Sequence, residues 1–339
     1  MVATVRILAT LVLLISAASF VPAYAEPCTT TAPVCTEWVA LGGGPARSLV
    51  YRTFKLDEKN ERITRALIMI HGAGRDADNY FRTAVAAAFL ANALEDTIVI
   101  SPRFASNAQR GCNDTLSPNE VNWSCSGNSW RSGGVAANDE RLTSYDLTDE
   151  ILRKLAHKDV FPNLKAIVVS GHSAGGQYVT RYEMANQVHD TLGVRVTYVV
   201  SNPSSYAYLD PERPVGGDDI GANGDKSNCT AYDRWPYGLR GRSGYAAKLT
   251  DEQLKTQLSG RPVTYLLGEL DTLPLAGFDS SCAAMAQGPT RLARGQAFAR
   301  YVNEKYGARH KLIVIPLCGH NARCMFTAER ALQSLFPMP

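Results

Sequence analysis

K-A-I-V-V-S-G-H-S-A-G-G-Q, residues 165–177, decides how this chain is read. Ala166, Ile167, Val168 and Val169 form a short, mostly β-branched run of the kind that makes a strand buried on both faces. Gly171-His172-Ser173-Ala174-Gly175 follows at once, and from Gln177 to Met184 the composition suits a helix. Strand, G-x-S-x-G, helix is the setting in which that pentapeptide marks a sharp turn presenting a serine nucleophile. The turn is tight, so a side chain at 171 or 175 would strike the neighbouring strand or helix, and the serine backbone is strained. Its Oγ is thereby held clear of the sheet at a helix N-terminus, where free N–H groups favour an oxyanion. The pentapeptide alone arises readily by chance; its flanks give it meaning.

Working outward, residues 66–70, 97–100, 194–200, 263–267 and 312–315 are further apolar runs of strand length, and 37–41 with 48–54 read as an antiparallel pair of edge strands. Helical spacing is expected over 76–94, with Phe81, Val85, Phe89 and Leu90 as the apolar face, and over 146–157, 291–306 and 329–335. Residues 105–144 and 201–245 read as long irregular insertions. Strands alternating with helices imply an α/β fold: a mainly parallel sheet with helices on both faces, whose functional groups collect beyond the carboxyl ends of the strands.

Three strand ends carry matching chemistry. A serine hydroxyl needs a base to take its proton, and the base needs a carboxylate to fix its tautomer. The order nucleophile, acid, base is met by Ser173, Asp271 and His320, with Glu269 as the reserve acid. Of the other histidines, His157 and His189 are expected on the surface, and His310 facing solvent. His172 should point away from the serine, and His71 should brace a glycine loop. The oxyanion donors are expected to be the Ala174 N–H and one from Gly72, Ala73 or Gly74. Trp123, Trp130, Tyr206, Trp235 and Tyr237 either contact substrate, with Trp130, Tyr206 and Trp235 preferred, or form small satellite cores under the insertions.

Residues 1–25 read as an export signal: Arg6, the apolar run 7–14, then Ala23-Tyr24-Ala25 as cleavage site. No later stretch is apolar enough to anchor the chain in a membrane, so 26–339 is expected as one secreted or periplasmic domain. The eight cysteines fall into near neighbours, and an even set in an exported chain reads as disulfides. Sequence does not fix their connectivity. The favoured pairing is sequential, Cys28–Cys35, Cys112–Cys125, Cys229–Cys282 and Cys318–Cys324, because each pair then closes one loop. Zinc at Cys318–Cys324 lacks a ligand set, and Asp218, Asp219 and Asp225 miss calcium-loop spacing, so no metal is expected. With 35 basic and 32 acidic residues and no basic cluster, nothing points to nucleic acid.

H-G-A-G at 71–74, G-H-S-A-G-G at 171–176, G-E-L-D at 268–271 and C-G-H at 318–320 together resemble the α/β-hydrolase superfamily, within it secreted, disulfide-containing esterase-like proteins. That resemblance implies an eight-stranded sheet, a Ser173–His320–Asp271 triad and no cofactor. The first loop is H-G-A-G rather than the H-G-G-G of many lipases, and a strongly apolar lid helix is missing, so a lipase is not expected. The resulting expectation is a secreted serine hydrolase acting on a small-molecule or polymer-borne ester. A peptidase of the same fold, an acyltransferase and a non-enzymatic binding protein are the rivals.

Overall fold

The computed structural model describes residues 1, 25–107, 111–126, 129–216, 219–222, 228–275 and 277–338. The segment read as an export signal lies outside these except at its two ends, and so do Asp218 and Asp225 of the loop weighed as a calcium site. In chain order the elements begin with β1 (Thr36–Ala40), β2 (Arg47–Arg52), β3 (Arg65–Ile70), α1 (Ala77–Leu90), β4 (Thr97–Pro102) and α2 (Ser144–Ala156). Then come β5 (Ala166–His172), α3 (Ala174–Ala185), β6 (Arg195–Ser201), β7 (Glu212–Gly216) and β8 (Asp219–Ala222). The chain closes with α4 (Asp251–Gly260), β9 (Val263–Gly268), α5 (Cys282–Met285), α6 (Arg291–Tyr306), β10 (Lys311–Ile315), α7 (Ala322–Thr327) and α8 (Glu329–Leu335).

Eight strands form one sheet in the order β1-β2-β4-β3-β5-β6-β9-β10. From β4 to β10 every pairing is parallel, and β1 and β2 add to one edge antiparallel. The central strands are apolar on both faces because each face meets a core. Ala66, Ile68 and Ile70 of β3 enter one core with Leu147 and Leu152 of α2, Tyr178 and Tyr182 of α3, Leu254 of α4 and Phe298 of α6. Leu67 and Met69 enter the other, beside Tyr80 and Phe81 of α1, Phe326 of α7 and Leu335 of α8. The result is a single α/β fold, a mostly parallel eight-stranded sheet with helices on both faces, as expected.

Several details differ from the sequence reading. Helix α1 stops at Leu90, and the face it buries is Tyr80, Phe81, Ala84, Ala87 and Ala88. Phe89 and Leu90 are 72% and 56% exposed. Alanine lets the helix lie close against the sheet, so the small residues, not the last large ones, mark the packed side. Strand β2 is an inner strand, with β4 on its far side, so of that pair β1 alone lies at an edge; β10 forms the other edge of the sheet. The 201–245 insertion contains the hairpin β7–β8. Helix α4 carries a capping box between Thr250 and Gln253, a signal present in the sequence.

Both insertions are pinned from within. The disulfides are Cys28–Cys35, Cys112–Cys125, Cys229–Cys282 and Cys318–Cys324, the sequential pairing. Buried arginines hold the second insertion through its carbonyls. Arg181 of α3 donates to the Pro236, Gln177 and Ser205 carbonyls, and Arg213 to those of Asp210, Glu212, Tyr232 and Tyr237. The Arg213 guanidinium also lies over the Tyr208 and Tyr232 rings.

Candidate active site

The turn after β5 has the shape its glycines allow. Ser173 sits at φ 60°, ψ −117°, between a fully buried strand and the first residue of α3. A Cβ on Gly175 would stand 2.3 Å from the Ile70 carbonyl oxygen, and one on Gly171 would stand 2.5 Å from the Gly175 carbonyl. Neither position admits a side chain, and the close approach is what pushes the serine out above the sheet.

His320 follows β10 and Asp271 follows β9, the neighbouring strand. His320 Nε2 lies 2.9 Å from Ser173 Oγ and Nδ1 lies 2.8 Å from Asp271 Oδ2. An ionised carboxylate can only accept, so the proton belongs on Nδ1, and Nε2 is left to accept from the serine hydroxyl. Asp271 is buried, and its other oxygen faces the buried Arg291 guanidinium at 3.6 Å. The two loops are braced against each other: Glu269 N–H donates to the Ile315 carbonyl and Leu270 N–H to that of Cys318. The Cys318–Cys324 bridge closes the loop that carries His320. Glu269 turns aside to accept from Leu317 N–H and takes no part in the chain of three.

The loop after β3 is set by His71, which is fully buried and braces the turn. Its Nε2 accepts from Phe104 N–H at 3.0 Å, so Nδ1 carries the proton and donates to the Gly72 carbonyl at 2.9 Å. Burial pulls its pKa down to about 4, which keeps this ring neutral. Among the described residues the backbone N–H groups of Ala73 and Ala174 have no acceptor. Gly72, Ala73 and Gly74 line the same cleft as Ser173 and His320, a cavity of about 530 Å³ whose other wall is Asn321, Ala322 and Arg323. A larger cavity of about 770 Å³ lies along α6 and contains none of these residues.

The aromatic residues expected at the substrate do not line this cleft. Trp130 is buried beneath the first loop, its ring 4.9 Å from that of His71. Tyr206 is fully buried and stacks on Phe298 at 4.5 Å, and Trp235 donates from Nε1 to the Ser132 carbonyl. Trp123 is likewise buried, donating to Ser48 Oγ. They form neither a substrate surface nor satellite cores: all four join the main core on one face of the sheet, with Tyr178, Tyr182 and Phe298. His310 is another correction: it is buried between the Tyr265 hydroxyl and the Leu258 carbonyl, where burial lowers its pKa to about 4. His189 is half-buried against the Tyr198 ring rather than free on the surface. His172 turns its ring nitrogens to Tyr80 and Asn202 rather than to Ser173, and its ring lies 4.6 Å from that of His320.

Tyr80, Asn202 and Arg291 reach this region without having been singled out in the sequence. Only Asn202 left a trace, as the first polar residue after the Val199-Val200-Ser201 strand end. Among the described residues no group of three or more His, Cys, Asp or Glu side chains could hold a metal ion, and no helix is long and apolar enough to cross a membrane.

Residues 67–333 match the profile of the Alpha/beta hydrolase family. No curated protein matches this chain. Among solved structures, LpqC, a poly(3-hydroxybutyrate) depolymerase from Bordetella parapertussis, superposes with a TM-score of 0.58 at 20% identity, covering 87% of this chain and 90% of its own. Poly(aspartic acid) hydrolase-1 from Sphingomonas sp. KT-1 gives 0.57 at 22% identity, covering 88% and 97%. At such identities the likeness is one of fold.

Proposed function

This chain belongs to the Alpha/beta hydrolase family, and from that premise we propose that it is a secreted serine hydrolase cleaving carboxylic esters through an acyl-enzyme. The observation that carries this reading is the unbroken hydrogen-bonded series from Ser173 Oγ through His320 to Asp271. His320 Nε2 takes the hydroxyl proton as Oγ attacks the ester carbonyl carbon. The carbonyl oxygen becomes an oxyanion, received by the free N–H of Ala174 and a second from the 72–74 loop, that of Ala73. Asp271 stabilises the imidazolium that forms. The imidazolium then gives its proton to the departing alcohol, leaving Ser173 acylated. A water deprotonated by His320 attacks the acyl carbon, and collapse of that second oxyanion releases the acid and restores the serine.

Nothing in this sequence of steps calls for a cofactor. The four disulfides and the signal-like segment support an oxidising, exported address. The cleft is walled by small and polar residues rather than a deep aliphatic pocket, which favours a short or polymer-borne acyl group over a long fatty one.

The test is labelling with a fluorophosphonate, mapping of the adduct, and a screen of p-nitrophenyl esters of graded length against short peptides. The expected result is an adduct on Ser173 and ester turnover that Ser173→Ala abolishes without unfolding the protein. Wild-type turnover in that variant would defeat the scheme, and peptide turnover without ester turnover would move the assignment to a peptidase.

A further inference from the structure

Beneath the Ser173–His320–Asp271 series runs a second buried polar series that the reaction above does not use. Asn202, which follows β6, sits in the left-handed backbone region at φ 44°. Its Oδ1 accepts from Gly268 N–H at 2.8 Å, which fixes the amide orientation. The amide nitrogen therefore faces the Gly319 carbonyl and His172 Nε2, each at 3.4 Å. An N–H group directed at Nε2 leaves that nitrogen as the acceptor, so the His172 proton is on Nδ1, which donates to the Tyr80 hydroxyl at 3.3 Å. Tyr80 in turn packs against Gly72, where a Cβ would stand 2.7 Å from its oxygen. One imidazole thus ties the first loop to the two loops that carry Asp271 and His320.

We propose that His172 is a positioning residue for His320, a neutral imidazole whose proton is fixed by Asn202 and Tyr80 and whose ring backs the His320 ring. This rests on the serine-hydrolase reading. The ring centroids are 4.6 Å apart at an angle of 38°, so a shift of His172 would be passed directly to the ring that must face Ser173. His172 is also the only side chain of the elbow pentapeptide besides the serine that can form such a strut. The groups around it are Tyr80 from α1, Arg291 from α6, Phe326 from α7 and His320 itself. Burial, with the neighbouring His320 ring and the Arg291 charge adding to it, holds its pKa well below the ordinary histidine range. A cation there would oppose the imidazolium that His320 becomes during turnover; a neutral ring does not.

The experiment pairs His172→Phe, which keeps the ring bulk and removes both nitrogens, with 15N NMR of the imidazoles in the wild-type protein. The expected result is a fall in kcat of about tenfold or more with KM unchanged, and fluorophosphonate labelling of Ser173 slowed by a similar factor. The His172 resonances should report an Nδ1–H tautomer that does not titrate between pH 5 and 8. Wild-type kcat in the variant, a change in KM alone, or a His172 ring that titrates in that range would overturn the proposal. Should the variant fail to fold, the NMR measurement still decides. Absence of any label on Ser173 in the wild type would instead sink the serine-hydrolase reading, which the His172 tautomer does not touch.

Discussion

Asp271 uses one carboxylate oxygen for the His320 Nδ1–H and turns the other toward Arg291, so both halves of the group are committed. Replacing it with asparagine keeps the size but lets an amide N–H face His320 Nδ1. That nitrogen would then have to accept, and the proton would move to Nε2, the atom that must be free to take the serine proton. The expected outcome for Asp271→Asn is a loss of roughly 10³–10⁴ in kcat with little change in KM. Steady-state kinetics on the best p-nitrophenyl ester checks it. A loss below about tenfold would mean that another carboxylate orients His320. Glu269 is the nearby acid to examine in that case, since it now accepts only from Leu317 N–H.

At the scale of elements, α3 does two jobs: its first turn presents Ser173, and its buried side holds the second insertion through Arg181. That guanidinium is inaccessible and serves only carbonyls and the Ser205 hydroxyl. Burial lowers its pKa to about 10, still high enough to keep it charged. Arg181→Met preserves the stem and takes this donor from the Pro236 and Ser205 carbonyls, while Gln177 still donates to the Ser205 hydroxyl; each buried acceptor so orphaned costs about 1–3 kcal/mol. A lower urea midpoint is expected, with proteolysis beginning inside 201–245; an unchanged midpoint would show that the insertion stands without this tie. Such ties are also where sequence reading stops. The strands were legible because continuous apolar runs of strand length have few other uses in a chain of this kind, and the elbow was legible because glycine at 171 and 175 is a steric requirement. Arg181, Arg213 and Arg294 look from sequence like surface charges, since arginine is rarely buried. Their carbonyl partners are scattered along the chain and carry no residue signature. The same blindness covers Trp130, Tyr206 and Trp235, which join the main core: an aromatic in an insertion reads alike whether it meets a substrate or the protein interior.

For the molecule as a whole, the buried ionisable groups make opposing demands on pH. His71, His189 and His310, with pKa values lowered to about 4 by burial, and His172, lowered well below its ordinary value, stay neutral when folded. In the unfolded chain each takes up a proton below roughly pH 6.5. Across that interval the unfolded state binds more protons, so these groups make stability rise with pH until about 6.5. Two carboxyls on the inner helices act the other way. Asp149, between the Tyr182 and Tyr245 hydroxyls, is raised to about 6, and Glu183 is raised well above its ordinary value by burial that outweighs nearby Arg261. Here the folded state holds the proton and the unfolded chain releases it, so stability falls as pH rises above roughly 4–4.5. Between pH 4.5 and 6.5 the four histidines outnumber the two carboxyls and the rising slope wins. Above that interval the histidines and Asp149 are spent, and Glu183 alone continues to draw stability down, by up to about 1.4 kcal/mol per pH unit until it ionises in the fold. Its carboxyl oxygens have no hydrogen-bond partner among the described residues, and the nearby Arg261 charge offsets burial only in part. The wild-type protein should therefore gain stability up to about pH 6.5 and lose it above that for as long as Glu183 stays protonated in the fold. Glu183→Gln, which cannot ionise, should flatten that falling limb and steepen the rise below pH 6.5, where Glu183 also opposes the histidines. Chemical denaturation at half-unit steps from pH 5 to 8.5 reads both curves. A wild-type profile already flat above pH 6.5, or one that Glu183→Gln leaves sloping, would show that the buried carboxyl finds a counter-charge in the native interior.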